Sequence, residues 1–91
     1  LVHRARAALG PLRVLVNNAA VFVDDRLPSL SLPGLRLHLD TNLLSPLVLS
    51  QAFAAQPDLP TDAAIVNLID QRVLEPSPPF FSYGLSKAAL W

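Results

Sequence analysis

The chain has 91 residues, seven Lys and Arg against seven Asp and Glu, and no cysteine. Its net charge of zero and the dispersal of Arg4, Arg6, Arg13, Arg26, Arg36, Arg72 and Lys87 leave no footprint for nucleic acid, and without thiols there is neither a disulfide framework nor a thiolate site. His3 and His38 stand apart from each other and from any carboxylate pair at ligand spacing, which argues against a metal centre, and Pro, Asp and Asn break every apolar stretch short of the roughly 18 residues of a membrane span.

Only 15% of the residues are charged and the mean hydropathy is +0.40, so part of the surface is expected to be covered by further chain or by a partner. The chain starts at Leu1 without methionine and stops at Trp91 inside what reads as a rising helix; we expect a piece of a longer protein. No signal peptide is visible, and a cytoplasmic setting is the default expectation.

Leu1 to Leu9 reads as the end of a helix stopped by Gly10-Pro11. Leu12 to Val16 is a short Val- and Leu-rich strand, apolar enough to be covered on both faces as in a parallel sheet, and it ends at Asn17-Asn18. A loop follows to Ser31, in which Val21, Phe22 and Val23 are greasy for exposed coil; Phe22 either plugs the core edge or lines a site. Leu32 to Gln56 alternates at first like a strand, but Leu39, Leu43 and Leu47 and the set Leu44, Val48 and Ala52 recur at helical spacing. We read one long helix with Pro33 in its first turn and a kink near Pro46, close to Asn42. After the breakers of Pro57 to Asp62, Ala63 to Ile69 is a second buried strand, which makes a βαβ unit with a parallel sheet. Asp70 to Ser82 is a loop with Pro76, Pro78 and Pro79, and the last helix carries Tyr83 and Lys87.

Tyr83 and Lys87, four apart on that helix, project from one face. A phenol beside an ammonium is a proton donor whose anion is stabilised, so Lys87 is expected to lower the pKa of Tyr83. Asn17, Asn18 and Asp70 stand at the carboxyl ends of strands, where functional groups of parallel sheets gather.

Taken together, Leu15-Val16-Asn17-Asn18-Ala19 after a strand, Asn42 followed by Pro46, the strand Ile65 to Ile69, and Tyr83-x-x-x-Lys87 are similar to the short-chain dehydrogenase/reductase family, over almost the whole chain. The resemblance implies an α/β fold with a Rossmann-type doubly wound parallel sheet, residues 1–91 being the central part of a single NAD(P)-binding domain with both ends missing. It implies an NAD(P)(H)-dependent oxidoreductase moving hydride to or from C=O or C=N, with NADP(H) placed ahead of NAD(H). Tyr83 would be the acid or base, and Lys87 would also hold the nicotinamide ribose. Asn42 would anchor a relay water, although by itself it also suits the capping of carbonyls freed by Pro46. Asn17, Asn18 and Ala19 would pass along the cofactor, and the complete protein would be a homo-oligomer acting on a small molecule.

Where most members carry Ser to hold a substrate carbonyl, this chain has Asp70. An ionised carboxylate accepts from N–H but cannot donate to C=O. With Phe22, Asp70 resembles the pteridine reductase branch, in which such an Asp works with the Tyr and Lys in catalysis and such an aromatic stacks on the pterin; a pterin-like substrate and an unspecified carbonyl or alcohol both remain open. A catalytically decayed relative is the non-enzymatic alternative. With Gly only at positions 10, 34 and 84, the chain has no glycine-rich phosphate turn, so by itself neither tight dinucleotide binding nor catalysis is expected.

Overall fold

A computed structural model describes all residues 1–91, which form two compact units, Leu1–Asn18 with Pro46–Leu68 and Ala19–Ser45 with Ile69–Trp91. In chain order the elements are helix α1 (Val2–Leu9), strand β1 (Val14–Asn17), a 3-10 turn (Leu27–Ser29), helix α2 (Leu32–Leu39), a π-helical turn (Asp40–Leu44), helix α3 (Ser45–Ala54), strand β2 (Ala64–Asn67), a second 3-10 turn (Gln71–Val73) and helix α4 (Phe81–Leu90).

In the first unit α1 stops at Gly10, whose amide donates to Arg6 O at 2.8 Å and whose φ of +83° is one that side chains avoid. A Cβ there would meet nothing within 4 Å, so backbone conformation and not space selects glycine. β1 and β2 pair in parallel, Val14 opposite Ala64 through Asn17 opposite Asn67, as the βαβ reading requires. Each strand is shorter than expected, and cover on both faces is not what the structure shows. Val14 and Val16, on one face of β1, are 55% and 53% exposed, and every residue of β2 is exposed. The sheet has two strands, and side chains on a face that nothing covers stay open whatever their hydropathy.

Two polar contacts hold this unit from its edge. Arg6 and Asp58 form a bidentate pair at 2.7 and 2.8 Å on the surface, where such pairs contribute little. Gln56 is buried and closes both backbone groups of Leu12, accepting from its N at 2.8 Å and donating to its O at 3.1 Å; it also donates to Phe53 O at 2.9 Å. The side chain therefore does for the approach to β1 what a neighbouring strand would do.

In the second unit α2 opens on Ser31, whose Oγ accepts from Gly34 N at 3.1 Å, with Pro33 in the first turn. The expected single helix from Leu32 to Gln56 is instead two α-helices joined by the π turn. Pro46 has no N–H to give to the carbonyl of Asn42, four residues back, and the chain widens just before it; Ser45 N bonds Asp40 O, five residues back, and Ser45 Oγ donates to the same oxygen at 2.9 Å. α4 packs against α2, the π turn and the second 3-10 turn. The fully buried side chains of this interior are polar: His38, Asn42, Ser82 and Ser86. His38 accepts from Val23 N through Nε2 at 3.2 Å, which leaves Nδ1 to carry the proton toward Gly34 O at 2.8 Å. No helix is long and apolar enough to cross a membrane.

Replacing Gln56 with Ala strands the N–H and C=O of Leu12. We expect a loss of about 1–3 kcal/mol of stability, read from urea denaturation.

Candidate active site

Helix α4 has no cap of its own. It begins after Phe80, which adopts a left-handed conformation (φ 56°) and offers no side-chain acceptor. The loop supplies what is missing: Asp24 Oδ1 accepts from Phe80 N at 3.0 Å, Asp25 O from Phe81 N at 3.0 Å, and Asp25 Oδ1 from Ser82 N at 2.8 Å, while Ser82 Oγ donates to Asp25 Oδ2. Two carboxylates thus serve the positive end of the helix. Burial alone would raise the Asp25 carboxyl, but the hydroxyl and amide of Ser82, with smaller help from His38 and Phe81 N, hold it below its ordinary value. In sequence Asp24-Asp25 reads as loop. The available signal was that Phe80-Phe81-Ser82 opens a helix without a capping residue, so an acceptor had to come from elsewhere.

So placed, α4 buries Tyr83 and Lys87 on one face, with Lys87 Nζ 5.8 Å from the Tyr83 ring centroid. Tyr83 OH donates to Asp70 Oδ2 at 3.1 Å. Asp70 in turn caps the 3-10 turn Gln71–Val73, with Oδ1 accepting from Arg72 N at 2.9 Å, and Arg72 Nη1 lies 3.2 Å from Oδ2 and 3.3 Å from Oδ1. The Arg72 amide, then the phenol and the guanidinium, lower the Asp70 carboxyl against the upward pull of burial.

The expected charge relation is reversed at Tyr83. Its phenol is raised above the ordinary value, first by burial and then by the hydrogen bond to Asp70, and Lys87 is not among the causes. A carboxylate that accepts the phenol's proton stabilises the neutral form. Lys87 is itself lowered by burial, with Asp70 acting in the opposite direction. At neutral pH Tyr83 therefore carries its proton.

Phe22 does not plug a core edge. It is 52% exposed, stacked on Phe80 (centroids 4.1 Å, planes at 7°) and edge-on to Tyr83 at 4.6 Å and 71°. Asn42 is fully buried and does not cap the kink: Oδ1 accepts from Val21 N at 2.8 Å, and Nδ2 donates to Val21 O at 2.9 Å and Ser86 Oγ at 3.0 Å. Ser86 Oγ donates to Tyr83 O at 2.7 Å, so Asn42 ties the chain just before Phe22 to α4.

The second unit thus brings together Phe22, Asn42, Asp70, Tyr83 and Lys87, and Ala19 opens its chain, exposed. Asn17 and Asn18 belong to the first unit, where Asn17 Nδ2 donates to Asn67 Oδ1 at 2.7 Å and Ser50 Oγ at 3.4 Å. Asn17 Oδ1 is buried without a partner, and Asn18 is exposed.

The lowered pKa of Asp25 means that its stabilising contribution is complete above the ordinary carboxylate value near 4 and is lost as pH falls below it through the folded value. Asp25→Ala is expected to cost about 0.5–2 kcal/mol near pH 7, from thermal or urea unfolding, and the gap to wild type should close below about pH 4.

A family model described as short chain dehydrogenase matches residues 1–91. Among solved structures, FolM alternative dihydrofolate reductase 1 from Brucella canis, complexed with NADP, is 42% identical with a TM-score of 0.90, over 100% of this chain and 37% of that one. The protein of the same name from Brucella suis, in complex with NADP, is 41% identical with a TM-score of 0.89, over 99% and 36%. A short chain dehydrogenase from Burkholderia cenocepacia in complex with NADP is 34% identical with a TM-score of 0.89, over 98% and 36%. The chain thus spans little more than a third of the length of these solved proteins. No curated protein matches it. The match along the whole chain and the partial α/β fold with its parallel strand pair agree, and the chain belongs to the short-chain dehydrogenase family.

Proposed function

We propose that the complete protein, of whose single NAD(P)-binding domain residues 1–91 form the central part, is an NADP(H)-dependent reductase acting on a small molecule with a C=N or C=O bond, a pterin-like compound first. The observation that carries this reading is the buried Tyr83 hydroxyl, 3.1 Å from Asp70 and on the same helix face as Lys87. Tyr83 holds a proton at neutral pH, the state a reduction needs, since the atom next to the one that accepts hydride must be protonated. When the phenol gives that proton up, the nearby ammonium of Lys87 stabilises the anion that remains.

Asp70, lowered below the ordinary carboxylate value, is an acceptor at neutral pH. It suits a substrate that offers N–H and disfavours a bare carbonyl, for which it has no proton to donate. Half-exposed Phe22 supplies an aromatic surface for a flat heterocycle. The names of two similar proteins, alternative dihydrofolate reductases complexed with NADP, support the same substrate class and cofactor. Asn42 serves the site by fixing the backbone of Val21.

Within the second unit the donor set suits a nucleotide sugar: Lys87 and Tyr83 offer N–H and O–H to the hydroxyls of a ribose. Asn17, in the first unit, is proposed separately to pass along the cofactor, as its place at the end of β1 suggests. Asn18 and Ala19, both exposed, continue that stretch. When bound, NADPH supplies the hydride. Leu47 and Val48 on α3, 52% and 63% exposed, give a homo-oligomer an apolar face to cover.

The test is NADPH oxidation by the complete protein with dihydrofolate, simpler dihydropteridines and a panel of ketones. Tyr83→Phe should lower kcat about a hundred- to ten-thousandfold while NADPH still binds. Activity within a few-fold of wild type would remove Tyr83 from the chemistry, and no turnover across the panel with NADPH bound would point to a decayed site.

A further inference from the structure

Arg72 surrounds Asp70 more completely than any other residue. Its backbone N donates to Oδ1 at 2.9 Å, and its Nη1 reaches Oδ1 at 3.3 Å and Oδ2 at 3.2 Å. The second oxygen, Oδ2, is the one that accepts from Tyr83 OH at 3.1 Å. The phenol and the guanidinium therefore share one oxygen of one carboxylate, and each partly neutralises the charge that the other meets.

The guanidinium is fixed from its other side too. Its central carbon lies 5.4 Å from the Phe22 ring centroid and 5.2 Å from that of Phe80, two rings that stack on each other. Phe80 is held in turn by Asp24, which accepts its amide at the start of α4. Arg72 Nε is buried with no partner, and the side chain forms part of the wall of a cavity of about 380 Å³ that is otherwise mostly apolar, with Pro76, Pro78, Phe80, Phe81 and Leu85. Both side chains of the Arg72–Asp70 pair are partly buried, so their charges are screened less than those of a fully exposed pair.

We infer that Arg72 is a positioning residue that divides the charge of Asp70 between its own guanidinium and the Tyr83 phenol, so that the proton on the phenol stays releasable. The inference rests on the reading of Tyr83 as proton donor. A carboxylate stripped of Arg72 would turn its full charge on Tyr83 OH and hold that proton harder, since a hydrogen bond to an unneutralised carboxylate is the stronger one. The charged groups that face Tyr83 are Asp70 and Arg72 from the β2–α4 connection and Lys87 from its own helix. Among them Asp70 raises the phenol and Arg72 lowers it, which is the division the contacts require.

The test is a pH titration of the Tyr83 ring by ¹³Cζ NMR in the complete protein, the resonance being assigned by its loss in Tyr83→Phe. Arg72→Gln is expected to move the ionisation midpoint of Tyr83 upward from wild type, and Asp70→Asn to move it downward. Arg72→Lys, which keeps the charge on a different framework, should fall between wild type and Arg72→Gln, and it serves if the Gln variant does not fold. In turnover, Arg72→Gln should lose about tenfold in kcat, as expected for a donor held in a less productive state, with KM for NADPH within twofold of wild type. A merely structural role predicts the reverse titration: the loosened site hydrates and the Tyr83 midpoint falls toward its ordinary value. A midpoint that falls or stays unchanged in Arg72→Gln overturns the inference. A wild-type protein that turns over none of the panel would defeat the reductase reading alone, and the titration would still decide what Arg72 does.

Discussion

A helix that cannot cap itself governs the arrangement of this site. Phe80 enters α4 in a left-handed conformation and brings no acceptor, so the first amides of the helix depend on Asp24 and Asp25, more than fifty residues earlier in the chain. That debt fixes the loop against the helix. With the loop in place, Phe22 stacks on Phe80 and meets Tyr83 edge-on, and Arg72 settles beside the stacked pair with its guanidinium on Asp70. Asn42, buried in the π turn, secures the same loop through the peptide groups of Val21. Electrostatic neutralisation at a helix end and the orientation of a phenol four residues further on are thus one structural fact.

The interior of this unit is held by polar satisfaction more than by apolar bulk. His38, Asn42, Ser82 and Ser86 are almost wholly buried, and each has its hydrogen bonds made within the chain. Such a core resists rearrangement, since moving one member leaves another unpaired in a dry environment. It suits a site in which the distance between a phenol and a carboxylate must be kept. The charges are set by that geometry: burial and Asp70 keep the proton on Tyr83, while Arg72 supplies the counterweight.

Much of this was legible in the residues themselves. Gly10-Pro11 stops α1, the Val-rich runs are strands, and Pro46 disturbs the long helix at Asn42, because each of these follows from a local backbone property. The form of the disturbance, a π turn, depended on how Ser45 could satisfy Asp40, which no periodicity reveals. Val14 and Val16 stand open: hydropathy reports what a strand can bury and not what is present to cover it, in line with the expectation that further chain or a partner covers part of this surface. The pairing of Tyr83 with Lys87 could be read from helical spacing, yet the sign of the phenol's shift could not. It turns on a 3.1 Å contact with a residue thirteen positions away and on Arg72, which the sequence offered only as one dispersed cation among seven. Asp24 and Asp25 escaped for a related reason, since their partners are distant in sequence and caps are ordinarily sought next to the helix.

On the proposed reading Asp70, standing where a serine would serve a carbonyl, matches this site to a substrate with N–H groups. The most direct measurement is the ratio of kcat/KM for a dihydropteridine to that for a simple ketone, in the complete wild-type protein and in Asp70→Ser. The account predicts that the substitution lowers this ratio by at least tenfold, because Ser gains a donor for the ketone and loses the anionic acceptor for the pteridine. A ratio that is unchanged, or that rises, would contradict it.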